Sequence, residues 1–143
     1  MRLIAMKRES DERMSIELQT KTRSRILIVD DSGMNRMMLS ELLEDRYDIL
    51  EASNGAEALS LIRQNLSSLD LVLLDIVMPE LDGFGVLANM KKRRWLEFIP
   101  VIMISSEGDS ASIERAFNLG ASDYIQRPYK GFLIHRRIIN ILG

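Results

Sequence analysis

The sequence predicts an α/β domain built on a five-stranded, doubly wound parallel sheet, and three observations lead there. From Arg25 onward, apolar runs of strand length alternate with segments of helical period, the pattern of successive β/α units. The runs "ILIV" (26–29), "LVLL" (71–74) and "VIMI" (101–104) are apolar at every position, so each needs cover on both faces, as in a parallel sheet between helices. Good N-cap residues stand before several of the helical segments. Crossovers between parallel strands are right-handed and helices must cover both faces, which makes an open doubly wound sheet the natural outcome.

Taken in order, the first strand is expected at 25–29 (RILIV) and the first helix at 34–45, where "MNRMMLSELLED" carries a helical period. A second strand at 48–52 leads to a helix at 55–65, "GAEALSLIRQN", capped by Asn54. The third strand, at 70–74, is followed by a helix at 83–94 capped by Asp82. The fourth, at 99–104, precedes a helix at 111–119, for which Ser110 is the expected cap. A short fifth strand at 123–126 and a final helix at 130–141 complete the pattern. Apolar residues at 132, 133, 134, 138, 139, 141 and 142 exceed one buried stripe, so this helix either packs on a partner or following segment or is a well-buried final helix.

The chain has 143 residues, enough for one ordinary core, with 46% hydrophobic and 28% charged residues near globular averages. A net charge of −2 gives no bulk reason to expect binding to nucleic acid or an anionic membrane. No cysteine is present, which excludes disulfides and thiolate metal sites. No apolar run approaches the roughly 20 residues that span a bilayer. The stretch "MRLIAMKRESDERMSIELQTKTRS" has only a four-residue apolar run, Leu3 to Met6, too short for a signal-peptide core. The expected location is therefore the cytoplasm, with residues 1–24 forming an extension of unknown role and 25–143 forming the domain.

Ligands of open parallel sheets bind beyond the carboxyl ends of the strands, and the polar residues there converge. The first strand ends in Asp30 and Asp31, the third in Asp75, the fourth in Ser105, and the fifth leads to Arg127. Taken alone, Asp30 and Asp31 read equally well as a turn pair or a helix cap. Asp75 shifts that balance, because three neighbouring carboxylates repel unless a cation intervenes. Oxygen-only ligands suit a hard cation, with Mg²⁺ the expected one. A carboxylate can itself accept a phosphoryl group as an aspartyl phosphate.

"ILIVDDS", "LVLLDIVMPELDG", "IPVIMISS" and "GASDYIQRPY" together resemble the receiver domain of two-component response regulators, over Arg25 to Gly143. The resemblance implies a flavodoxin-like fold with strand order 2-1-3-4-5. It implies Asp75 as phosphoacceptor in a phosphorelay, with Mg²⁺ held by Asp31, Asp75 and the carbonyl of Val77, and Asp30 acting mainly through water. Ser105 would be the hydroxyl that moves to the phosphoryl oxygen, and Tyr124 the aromatic whose inward rotation accompanies it. The bond before Pro128 would be cis. The implied role is a signalling domain, at most phosphorylating and dephosphorylating itself. Its donor would be a sensor histidine kinase or phosphotransfer protein. The face of fourth helix, fifth strand and fifth helix would rearrange and support a possible homodimer. Where the family has lysine before the proline, this chain has Arg127, a change expected to bear on switching more than on metal binding.

Other readings fare less well. "GFGVLA" (83–88) matches a dinucleotide fingerprint, but "IVMPELD" separates it from the strand, and Glu80 and Asp82 would repel a pyrophosphate. An aspartyl phosphatase would show Asp-x-Asp, whereas Asp75 precedes Ile76 and Val77. His135, beside Arg136 and Arg137, reads as a surface residue. The rival from another class is a phosphorylation-independent interaction module of receiver fold. No DNA-binding motif or output domain is recognisable, so the chain is expected to be a free-standing receiver or one whose output domain has been removed.

Overall fold

A computed structural model of the chain describes residues 23–143, so nearly all of the extension expected at 1–24 lies outside the described residues. Its elements are β1 (Arg25–Val29), α1 (Gly33–Leu43), β2 (Asp48–Ala52), α2 (Gly55–Gln64), β3 (Leu71–Asp75), α3 (Gly83–Lys92), a 3-10 turn (Trp95–Glu97), β4 (Val101–Ser105), α4 (Ser110–Asn118), β5 (Asp123–Gln126) and α5 (Gly131–Leu142). All strand pairs are parallel, and the sheet runs β2-β1-β3-β4-β5, the order the resemblance implied.

Side-chain alternation along uniformly apolar strands produces two cores. Ile26 and Ile28 of β1, Leu71 and Leu73 of β3, and Ile102 and Ile104 of β4 face α1 and α5, meeting Leu39, Leu43, Ile134 and Ile138. Leu27, Val29, Val72, Leu74, Val101 and Met103 point the other way, toward Ala58 and Ile62 of α2, Val86, Leu87 and Met90 of α3, and Ala116 of α4. Each such valine, leucine, isoleucine or methionine contributes about 1.5–3 kcal/mol by leaving water, which is why strands apolar at every position select a doubly covered sheet.

Element boundaries depart from expectation for local reasons. β4 begins at Val101 rather than 99, because the Phe98 and Ile99 N–H groups donate back to Trp95 O at 3.2 and 2.9 Å and Pro100 has no N–H to give the ladder. β3 starts one residue late and extends to Asp75, which is in register with Ile104. Asp70 instead accepts the Arg25 N–H on Oδ2 at 2.8 Å. α1 starts at Gly33 because Ser32 accepts the Asn35 N–H.

Two expectations are corrected. The cap of α4 is Asp109, not Ser110: its Oδ2 accepts the Ser112 N–H at 3.0 Å, and Ser110 is already the first helical residue. His135 is half-buried rather than on the surface, with Nδ1 enclosed and lacking a hydrogen-bond partner among the described residues. The reason is the depth at which α5 sits: Ile134 and Ile138 are buried, and Leu133, Ile141 and Leu142 are partly buried against the core. Phe132 and Ile139 remain exposed, at 70% and 42%. Among the described residues no helix is long and apolar enough to cross a membrane.

The reassigned cap carries a prediction. At neutral pH Asp109→Ala is expected to lower the thermal midpoint, while Ser110→Ala leaves it near wild type. The Ser112 hydrogen bonds hold the Asp109 carboxyl below the usual aspartate range. A carboxylate with a depressed folded-state pKa gives stability that is present above its unfolded value and lost as pH falls through the folded one. The gap between wild type and Asp109→Ala should therefore close on acidification. Thermal melts across that range check it; an equal effect from Ser110→Ala would contradict the assignment.

Candidate functional site

The carboxyl ends of β1 and β3 bring Asp30, Asp31 and Asp75 together, one carboxylate oxygen from each lying within 4.8 Å of the others. Asp30 continues β1, its N–H donating to Ala52 O at 3.1 Å, and the side chain is turned inward to 1% exposure. Asp30 makes the turn contact that the sequence allowed. Its Oδ1 accepts the N–H of Ser32, two residues on, at 2.9 Å, while Ser32 takes the cap. Asp31 is exposed, at the open side of the cluster. Val77, next to the strand end, is exposed too.

Asp75 ends the central strand and is 6% exposed. Its carboxyl is pushed up to about 6, first by burial and then by the negative charge of Asp30, with Arg127 opposing the rise and Asp31 adding to it. One guanidinium does not offset three clustered acids, and three carboxylates without nitrogen or sulfur donors fit a hard divalent cation such as Mg²⁺.

Ser105, the last residue of β4, is fully buried, and its Oγ accepts the Glu107 N–H at 3.1 Å. Tyr124 is buried on the α4 side of β5, its hydroxyl donating to the Glu107 carbonyl at 2.5 Å. Burial pushes that phenol above its usual range. Ser105 and Tyr124 thus grip the same residue of the β4–α4 loop. Arg127 follows β5 across a cis bond to Pro128, as the resemblance implied, and its N–H donates to Ser105 O at 2.8 Å. Its guanidinium donates from Nη1 to Asp75 Oδ1 at 3.2 Å and from Nη2 to Asp30 Oδ2 at 2.5 Å. Beside it opens a cleft of about 390 Å³ lined by Asn35, Met38, Ser106, Arg127, Pro128 and Tyr129.

Four residues absent from the expected set belong to this arrangement. Asn35 donates to Asp30 Oδ2 at 3.3 Å, and Arg36 donates to the Asp30 carbonyl at 2.7 Å. Glu107 joins Ser105 to Tyr124. Gly83 seats α3 on the end of β3, its N–H donating to Ile76 O at 2.8 Å. The glycine had a visible signal in "GFGVLA"; the others are ordinary loop and first-turn residues whose role depends on tertiary placement.

The profile of the family described as the response regulator receiver domain matches residues 26–139. A probable transcriptional regulator ycf27 of Guillardia theta is 36% identical over 128 residues, covering 89% of this chain and 48% of that protein. A probable cyclic di-GMP phosphodiesterase of Vibrio cholerae is 37% identical over 123 residues, covering 86% of this chain and 27% of that protein. The chain thus spans about half the length, or less, of these curated relatives. Among solved structures, a chain of the CheX–CheY–BeF3–Mg²⁺ complex from Borrelia burgdorferi superposes with a TM-score of 0.79 at 28% identity, covering 84% of this chain and 90% of that one. A receiver domain protein from Clostridium thermocellum gives 0.77 at 30% identity, covering 83% and 94%. With fold order, strand-end acids and profile in agreement, the chain belongs to the response regulator receiver domain family, the signalling domain of two-component systems.

Proposed function

We propose that this receiver domain accepts a phosphoryl group on a carboxylate oxygen of Asp75 and uses the event to reshape its α4–β5–α5 face for a partner or output domain. The observation that carries the reading is Asp75 itself, a nearly enclosed carboxylate at the end of the central strand within 4.8 Å of two others. Burial of this kind disfavours charge, and a fold alone does not require it. The donor would be a histidine kinase, a phosphotransfer protein or a small acyl phosphate. A new O–P bond forms at Asp75 as the donor's N–P or acyl O–P bond breaks, and the electron pair leaves with the imidazole or the carboxylate. A bound Mg²⁺ would offset negative charge on the phosphoryl oxygens.

Asp31, Asp75 and the carbonyl of Val77 are the proposed ligands, with Asp30 orienting the set through its hydrogen bonds and through water. Arg127 supplies a fixed positive charge beside Asp75, worth more in a half-buried pocket than in water. Ser105 and Tyr124 are the proposed switch, since a hydroxyl drawn toward the new phosphoryl oxygens must leave the Glu107 N–H it now accepts from. The β4–α4 loop would follow, and with it α4, where Phe117 is exposed at 45%. This face is also the proposed homodimer surface.

Beryllofluoride with Mg²⁺ tests the switch. Amide resonances of Ser105, Glu107 and Tyr124 are expected to move on binding, with the sedimentation coefficient rising at concentrations well above micromolar. Binding without movement at these residues contradicts the switch. Neither binding nor movement favours the phosphorylation-independent module, for which the saturated Arg127 fork is the supporting feature. An unchanged sedimentation profile rejects the dimer alone.

A further inference from the structure

Asp30 and Asp75 already share a cation. Arg127 stands after β5, yet its guanidinium crosses the ends of β4 and β3 to reach both acids, with Nη2 on Asp30 Oδ2 at 2.5 Å and Nη1 on Asp75 Oδ1 at 3.2 Å. The side chains involved are 21% exposed for the arginine, 2% for Asp30 and 8% for Asp75, so water screens this contact far less than a surface pair. Neither oxygen of Asp30 is left without a donor: Oδ1 takes the Ser32 N–H, and Oδ2 takes Asn35 Nδ2 in addition to the guanidinium. Asp31, by contrast, makes no side-chain hydrogen bond or ion pair among the described residues.

We infer that Arg127 is a built-in competitor of the divalent cation, closing the acid cluster when metal is absent and yielding at least one carboxylate when metal binds. The inference rests on the reading that Asp31 and Asp75 hold that cation. The chemistry is specific to arginine. A guanidinium is planar and presents parallel donors, so one side chain can hold two carboxylates at fixed spacing. A lysine ammonium is a compact, strongly hydrated charge that serves one close acceptor well. At position 127 lysine would keep the positive charge near Asp75 but release Asp30. Beyond the charge that lysine shares, arginine therefore lowers metal affinity further through its reach.

Because the fork and the metal both draw on Asp75, and the fork also holds the Asp30 carboxylate that would orient the metal's water, each weakens the other by the same factor. Linkage of this type is commonly worth about fivefold or more in an equilibrium constant. A receiver so built would rest with its acceptor neutralised internally and would need a higher divalent concentration before phosphoryl transfer.

The experiment titrates Mg²⁺ alone, without phosphoryl donor, into the full chain and follows heat and the amide resonances of Asp31 and Val77. Arg127→Lys is expected to bind about fivefold to tenfold more tightly than wild type, at unchanged charge. Arg127→Gln should bind more tightly still. Arg36→Gln is the control for charge alone, since Arg36 lies beside the cluster but donates to the Asp30 carbonyl at 2.7 Å and to Glu51 at 3.1 Å, not to the carboxylates. It should tighten binding less than twofold. Arg127→Lys binding no more tightly than wild type overturns the proposal. So does Arg36→Gln matching Arg127→Gln, which reduces the effect to a general field. Absence of Mg²⁺ binding in every chain would instead refute the metal site itself, and the competition with it.

Discussion

Gly83→Ala is expected to cost about 3 kcal/mol of stability, against a total of about 5–15 kcal/mol for a domain of ordinary size. A Cβ added at this position would lie 2.3 Å from Asp75 O, 2.7 Å from Ile76 Cα and 3.0 Å from Asp75 C. All three obstacles are backbone, so no side-chain rotation relieves them, and the cost belongs at the upper end of the range for overpacking. The sign makes the test sharp. Alanine favours a helix over glycine by about 0.5–1 kcal/mol, so helix propensity alone predicts a gain. Gly85→Ala offers the contrast: its nearest obstacle is Leu81 Cδ1 at 2.5 Å, the far end of a flexible side chain, and the loss should be smaller. Denaturant unfolding of the three chains measures this. A Gly83→Ala midpoint equal to wild type would contradict the seating of α3 on the acceptor strand.

The same glycine shows what the sequence disclosed and what it withheld. "GFGVLA" was legible as something other than a dinucleotide loop, since the strand before it is separated by "IVMPELD". That this loop folds back so that Gly83 touches the Asp75 carbonyl depends on a tertiary contact no local pattern encodes. The sheet was legible because its strands are apolar at every position, and a period-two surface with two buried faces has few other solutions. The gathering of Asp30, Asp31 and Asp75 followed from strand order and from where parallel strands end. The α4 cap was not, because Asp109 and Ser110 are adjacent acceptors of similar quality, and only backbone geometry selects between them. Neither was the depth of His135, set by how far α5 sinks toward the sheet. Arg127 was visible as a departure from lysine, but its second contact, to Asp30, spans 97 positions of sequence and needed the folded chain.

Asp75→Ala is expected to reduce phosphoryl uptake to background while leaving the fold intact. The variant removes the only carboxylate that ends the central strand beneath Arg127, and with it both the nucleophile and one proposed metal ligand. Asp30 cannot stand in, since both its oxygens already accept hydrogen bonds, and Asp31 is exposed, with the guanidinium donating to the other two acids instead. Positioning and charge neutralisation supply most of the rate in phosphoryl transfer, so a neighbouring acid a few ångströms away is no substitute. The decisive measurement is the intact mass of wild type and Asp75→Ala after incubation with acetyl phosphate, each with Mg²⁺ and with EDTA. Wild type with Mg²⁺ should gain the mass of one phosphoryl group, and neither wild type in EDTA nor the variant should. An equal gain in Asp75→Ala, or a full gain by wild type in EDTA, would contradict Asp75 as the metal-assisted acceptor.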